Sequence, residues 1–180
     1  MDELNRKTVE EFRQSGKNPI TVVLDNVRSM HNVGSVFRTA DAFLLEAICL
    51  CGYTPQPPHR DINKTALGAT ETVEWKYYPS TMEAMHALRD KGYAIWAVEQ
   101  AVGSVLLDQL QWQTLLANGA AGKIAVVFGN EVSGVDDGVL KLCHGCMEIP
   151  QSGMKHSLNI SVAAGIVLWE LSKAFKTRAV

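Results

Sequence analysis

Lys123-Ile-Ala-Val-Val-Phe128, running straight into Gly129-Asn-Glu-Val-Ser-Gly134, decides the fold. The first half is a continuous apolar run with no polar alternation, which is how a strand covered on both faces reads. The second half opens and closes on glycine, so the strand stops in a tight loop whose backbone can approach a ligand. Glu131 lies just past the apolar run, where a charge needs a partner.

Runs of the same kind recur along the chain. Ile20–Leu24 ends at Asp25-Asn26, Ala47–Cys51 ends at Gly52, Tyr93–Val98 follows, and Met147–Ile149 ends at Pro150. Helical periods fall between them. In Asn32–Leu44, Val33, Val36, Phe37, Ala40 and Leu44 repeat at helical spacing. Ser80 and Glu83 form a capping-box pattern that opens Thr81–Asp90, and Gly92 follows as a stop. Val135–Cys143 and Ser157–Lys176 read as two further helices, whereas the prolines of Thr54–Arg60 require an extended loop. This alternation predicts an α/β fold built on a parallel open sheet with helices on both faces.

A chain of 180 residues, 47% hydrophobic and 20% charged, is expected to form one globular domain, here 20–180 after a short leader of 1–19. No apolar segment is long enough for a membrane span, and the mixed charges of Met1–Ser15 do not read as a secretory signal. A cytoplasmic, reducing setting is the expectation, with no membrane partner. The net charge of −2 supplies no global basic field, so a nucleic-acid partner would need a local patch. Cys143 and Cys146 have zinc-ligand spacing around His144, but Cys49 and Cys51 lie inside a strand and Cys143 closes an apolar helix pattern. Buried reduced thiols explain all four, and no metal is expected.

In open α/β sheets ligands gather at the carboxyl ends of strands. Three strand exits are rich in polar residues. The first carries Asn32, either a helix N-cap or a ligand-facing amide. It also carries Gly34, which one turn before Arg38 would leave an open groove beside the guanidinium. Arg38 faces away from the Val33/Phe37 stripe, either to grip phosphate or to pair with Asp41. The second exit is Gly129–Gly134, a ligand loop or a polar turn capping the next helix through Ser133. The third crowds Ser157, Asn159 and Ser161 at a helix start, where free N–H groups and the helix dipole favour anions.

Asn32-Val-Gly-Ser-Val-Phe-Arg38, Phe128-Gly-Asn-Glu-Val-Ser-Gly134, and Ile149-Pro150 with Ser157-Leu-Asn-Ile-Ser161 together resemble the three motifs of the TrmH/SpoU RNA 2′-O-ribose methyltransferases of the SPOUT superfamily. Lys64–Thr70 is similar to the connecting region of short members, and the likeness runs from Ile20 to Leu171. Where many members carry Met-x-Gly after the Ile-Pro, this chain has Gln151-Ser-Gly-Met154, with Gly153 as the flexible turn.

The resemblance implies a C-terminal trefoil knot, S-adenosylmethionine bound in the knotted loops and released as S-adenosylhomocysteine, and a homodimer through the C-terminal helix and knot region. It implies Arg38, Asn32, Glu131, Ser157 and Asn159 as catalytic residues. Glu99, Gln100, Gly129, Ile149, Gln151, Ser157 and Leu158 would hold the cofactor. The RNA would meet Arg28, His31, Arg38, Arg60 and Lys64, joined by Arg6, Lys7 and Arg13 of the leader. The substrate is expected to be structured RNA: transfer RNA at a D-loop guanosine first, ribosomal RNA second, the transfer-RNA wobble position third. The main rival is a catalytically idle RNA-binding dimer of the same fold. A hydrolase built on His156, Ser157 and Glu131 lacks the Gly-x-Ser-x-Gly turn, and phosphate-binding glycine fingerprints are missing for a nucleotide enzyme.

Overall fold

Among the described residues seven strands, all parallel, lie in the order β3-β2-β1-β6-β4-β7-β5. They are β1 (Asn18–Asp25), β2 (Leu45–Cys51), β3 (Glu74–Tyr78), β4 (Tyr93–Val98), β5 (Val105–Leu106), β6 (Lys123–Phe128) and β7 (Gly145–Glu148). Helices α1 (Val9–Gln14), α2 (Met30–Ala42), α3 (Arg60–Ala66), α4 (Ala69–Thr72), α5 (Thr81–Asp90), α6 (Trp112–Ala117), α7 (Asp137–Leu140) and α8 (Ile160–Lys176) connect and cover them. The computed structural model describes residues 7–117, 119, 121–154 and 157–176.

The sheet divides the core in two, as a sheet covered on both faces requires. On one side Ile20, Val22 and Leu24 pack with α2, α3 and α8. On the other, Val23, Ile95 and Val127 pack with Met85, Leu88 and Val139 of α5 and α7. The four cysteines belong to this second layer, and burial pushes the thiols up, Cys49 to about 11 and Cys143 to about 12. Among the described residues no group of three or more histidine, cysteine or acidic side chains is arranged to hold a metal, and no helix is long and apolar enough to cross a membrane.

Several boundaries differ from the sequence reading, each for a local reason. Ser29, not Asn32, caps α2, its hydroxyl accepting the Asn32 N–H at 3.3 Å. The groove expected at Gly34 is filled by α3: a Cβ on Gly34 would stand 2.2 Å from the Ile62 carbonyl oxygen. That glycine lets two helices touch. The helix read over Val135–Cys143 shrinks to α7 because Asp136, rather than Ser133, is the cap, accepting the Gly138 N–H at 2.8 Å. The strand read as Met147–Ile149 begins two residues earlier and leaves Ile149 beyond its end.

The described part of the leader is tied to the domain. α1 buries Phe12, Arg13 donates to the Glu71 carbonyl at 2.9 Å, and Lys7 donates to Ser15. Arg6 and His156 lie outside the described residues.

Candidate active site

Leu24, Phe128, Val98 and Met147 are register partners across β1, β6, β4 and β7. Whatever follows them therefore shares one edge of the sheet. Between the exits of β4, β6 and β7 and the start of α8 lies a cavity of about 590 Å³. Glu99 and Gln100 line it from β4, Gly129–Gly134 from β6, Glu148, Ile149 and Gln151 from β7, and Ser157, Leu158 and Asn159 from the approach to α8. All seven residues read from the sequence as cofactor contacts border this one cavity. Its described lining has three carboxylates, Glu99, Glu131 and Glu148, and no lysine or arginine. Such a wall suits a cationic ligand and disfavours a bare phosphate.

The loop after β6 is closed on itself. Asn130 N–H donates to the Gly134 carbonyl at 3.0 Å, and Gly134 N–H returns a bond of 3.1 Å. The Asn130 side chain accepts the N–H groups of Val132 and Ser133 at 2.8 and 2.9 Å. A Cβ on Gly129 would stand 2.0 Å from the Gly134 carbonyl carbon, so the two glycines are in backbone contact. Gly134 has φ +70, and Glu99 fills the space where its Cβ would point. The Glu99 carboxylate accepts from Val135 N–H at 3.1 Å and Gln100 N–H at 3.0 Å, which ties the β4 and β6 exits together.

A chain of side-chain bonds joins the three sequence segments. Asn32 Nδ2 donates to Glu131 Oε1 at 3.0 Å, and Asn159 Nδ2 donates to Asn32 Oδ1 at 3.2 Å. Glu131 also accepts the backbone N–H groups of Arg28 and Ser29 at 3.2 and 3.3 Å. Asn159 Oδ1 accepts the N–H of Ser161 at 2.8 Å and its hydroxyl at 2.7 Å, so this asparagine caps α8. The helix consequently starts at Ile160 rather than Ser157. Burial alone would raise the Glu131 pKa, but the bonds from its own backbone, Asn32, Arg28 and Ser29 outweigh it and hold the carboxyl below its ordinary range.

That junction unites segments about 100 residues apart, and the same span answers to a known family. Residues 19–169 match the sequence profile of the SpoU rRNA Methylase family. The chain belongs to this family. Over 172 residues it is 30% identical to the tRNA (guanosine(18)-2'-O)-methyltransferase of Thermus thermophilus, spanning 95% of this chain and 83% of that protein. It is 32% identical to the 23S rRNA (guanosine-2'-O-)-methyltransferase RlmB of Vibrio cholerae over 93% of this chain, but spans only 64% of that relative. Among solved structures, the AdoMet-bound rRNA methyltransferase of Sinorhizobium meliloti superposes with a TM-score of 0.78 at 26% identity, covering 91% of this chain and 60% of that one. The A. aeolicus TrmH/SpoU tRNA modifying enzyme has the same fold, with a TM-score of 0.79 at 22% identity and coverages of 94% and 83%.

Not every residue read from the SpoU motifs borders the cavity. Arg38 is exposed, forms no ion pair among the described residues, and does not line it. Six residues beyond Asn32 on α2, it stands about 9 Å further along the helix axis. Asp41, its suggested partner, instead accepts the Thr72 hydroxyl at 2.6 Å. Arg28, His31, Arg60 and Lys64 are exposed around the entries of α2 and α3, which Thr65 joins by donating to the His31 carbonyl at 3.0 Å. Lys64 is paired with Asp61 at 3.0 Å.

The sequence reading missed Asp25. Its buried carboxylate accepts from Thr81 at 2.5 Å, Asn26 at 2.9 Å and Asp136 N–H at 3.1 Å, fixing the β1 exit to α5 and α7. The signal was available, since Asp25, like Glu131, is a charge set against the end of an apolar strand.

Proposed function

We propose that this chain transfers a methyl group from S-adenosylmethionine to a ribose 2′-hydroxyl of structured RNA, leaving S-adenosylhomocysteine. The observation that carries the reading is the Glu131–Asn32–Asn159 junction beside an acidic cavity, because it brings all three motif segments to one place. The cavity's volume lies in the range of small-molecule sites. Its three carboxylates suit the sulfonium and ammonium charges of the cofactor, and Phe128, Ile149 and Leu158 offer apolar surface to its adenine. When bound, S-adenosylmethionine supplies a methyl group activated by a positively charged sulfur.

The chain's part in the reaction is chiefly positioning, since attacking oxygen, methyl carbon and sulfur must align. Arg38 holds the phosphate next to the target and stabilises charge growing on the 2′-oxygen. Glu131 positions; it is not the base. Both its oxygens already accept hydrogen bonds, and its depressed pKa makes it a weak proton acceptor, so the hydroxyl proton leaves to water. Glu131→Gln is accordingly expected to keep transfer within about tenfold of wild type, whereas a general base would lose 10²–10⁴-fold. Single-turnover rates decide between the two. Because the Glu131 pKa is lowered on folding, the stability it contributes is present above its unfolded value. That contribution is lost as pH falls through the folded one.

A second copy is inferred to complete the site. Val162, Ile166 and Trp169 are 50%, 39% and 50% exposed at helical spacing on α8, whose Ala164, Val167, Leu168 and Leu171 face inward. Phe43, at the end of α2, packs against Trp169 with ring centroids 5.8 Å apart, so the helix bearing Arg38 abuts this stripe. We infer that two copies pair here and that Arg38 acts across the interface. Ile166→Glu is expected to yield a monomer by light scattering, with cofactor binding retained and methyl transfer lost. A dimeric Ile166→Glu protein would refute the interface.

A C-terminal trefoil knot also belongs to this reading. Strand β7 enters the sheet between the consecutive strands β4 and β5, and the chain then continues to α8 against α2. Residues 20–180 are taken as the methyltransferase domain after a leader of 1–19, in the cytoplasm. Transfer RNA is favoured over ribosomal RNA because the chain spans more of the Thermus tRNA relative than of the Vibrio rRNA one, and a D-loop guanosine is the preferred target.

The test is methyl transfer from labelled S-adenosylmethionine to RNA from a host lacking this protein, followed by nucleoside mass spectrometry. A 2′-O-methylated nucleoside is expected. A methyl on a base would overturn the ribose assignment, and no transfer with no cofactor binding would favour an idle RNA-binding dimer.

A further inference from the structure

Tyr53 is 83% exposed, yet the backbone on both sides of it is fixed. It follows the end of β2, where Cys51 is the register partner of Asp25, so it stands on the same sheet edge as the candidate site. Its N–H donates to Asn26 Oδ1 at 3.0 Å. The next residue, Thr54, is 2% exposed, donates its hydroxyl to the Leu24 carbonyl at 3.0 Å and accepts the Val27 N–H at 3.1 Å. Asn26 and Gly52 both take left-handed conformations, φ +55 and +59, and a Cβ on Gly52 would stand 2.2 Å from Asn26 Oδ1. Two strand exits are thus stitched together, and the stitch leaves an aromatic ring in solvent.

A lone exposed aromatic means little by itself. This one is tied by its N–H to Asn26, in the segment that leads to the motif junction, and three exposed basic residues flank the two stitched exits in the chain. Arg28 comes two residues after Asn26, and its N–H is one of those that hold Glu131. Exposed Arg60 closes the loop that Tyr53 opens, and exposed His31 lies on the first turn of α2. A tyrosine has two side-chain torsions to lose on binding, which makes it an economical contact surface. Unpaired bases stack on such rings while neighbouring arginines take the phosphates.

We propose that Tyr53 is a stacking platform for an unpaired base flanking the methylated nucleotide, with Arg28 and Arg60 on the adjoining phosphates. The proposal rests on the RNA-methylating reading above and narrows it: the target lies in a single-stranded loop, because a base inside a helix has both faces covered by its stacked neighbours. The ring does not line the cofactor cavity, so its contribution is to RNA alone.

The test compares the full-length wild type with Tyr53→Ala and Tyr53→Phe, using a mixture of unmodified transfer-RNA transcripts as the probe. Steady-state methyl transfer, calorimetric S-adenosylmethionine binding and light scattering are read on all three. Tyr53→Ala is expected to raise the KM for RNA about tenfold with kcat within about twofold, and Tyr53→Phe to restore it. Cofactor affinity and oligomeric state stay unchanged. An unaltered KM in Tyr53→Ala, or an equal loss in Tyr53→Phe, overturns stacking. Dissociation of a dimer on Tyr53→Ala overturns it too, because the ring would then be covered by a second copy. A wild type that neither binds nor methylates the transcripts fails at the first measurement, and there it is the transfer-RNA assignment that falls, taking the platform on that RNA with it.

Discussion

Arg38→Ala is expected to lower methyl transfer about a hundredfold to a thousandfold while leaving S-adenosylmethionine affinity within about twofold of wild type. The two halves of this expectation come from different observations. The magnitude is that of removing one charged donor aimed at developing negative charge on an oxygen. The selectivity follows from position: Arg38 is exposed on α2 and contributes nothing to the cavity wall. Arg38→Lys separates charge from shape. Lysine keeps the cation but not the planar fork that can bridge phosphate and 2′-oxygen, so only a minor recovery is expected. Single-turnover transfer with saturating cofactor, set beside calorimetric binding of the cofactor alone, reads both quantities. Near-full activity in Arg38→Lys would argue that the guanidinium's geometry is not used. A loss of cofactor affinity in Arg38→Ala would place the arginine in the binding site instead.

Gly129→Ala is expected to abolish cofactor binding at concentrations that saturate the wild type. A methyl group there would stand 2.0 Å from the Gly134 carbonyl carbon and 2.2 Å from the Val135 nitrogen, and all of these are backbone atoms. No flexible side chain can give way, so the loop must open. Opening it breaks the paired bonds between Asn130 and Gly134 and displaces the Val135 N–H from Glu99. Overpacking of this kind costs about 1–3 kcal/mol in stability, a loss that thermal unfolding measures separately from the binding. Gly16→Ala is the control, because a Cβ at that exposed position meets nothing within 4 Å. Equal loss of cofactor in both variants would show that the loop's close contact is irrelevant.

The central strands were legible because burial on both faces leaves no polar residue to interrupt them: Tyr93–Val98 and Lys123–Phe128 are observed as read. The edge strand Glu74–Tyr78 was missed because its outer residues alternate between exposed and half-covered, so Glu74 and Lys76 break the apolar run. Strand β5 has two residues, too few to show any period. Helices α3 and α4 hid behind the proline loop, and their tell-tale is Gly34, whose need is visible once α3 is seen against it. At the site, residue types placed the motifs at strand exits, but spacing could not say which atoms meet. Asn32 was read as either a cap or a ligand-facing amide, and its side chain is the middle of a bridge, a role that depends on Glu131 and Asn159 arriving from elsewhere. Nor could spacing foresee that Arg38 would stand apart from the cavity.

That bridge also bears on how the protein comes into being. Its two bonds join residues 99 and 127 positions apart, among the most distant contacts the chain makes. Such contacts form late, because long stretches of chain must be ordered before they can be rewarded. During synthesis the first and second segments emerge well before Asn159, and until α8 docks the amide of Asn32 has half its partners. A nascent or truncated chain without α8 therefore lacks both the completed bridge and part of the cover over one face of the sheet, and the two arrive together with the last helix.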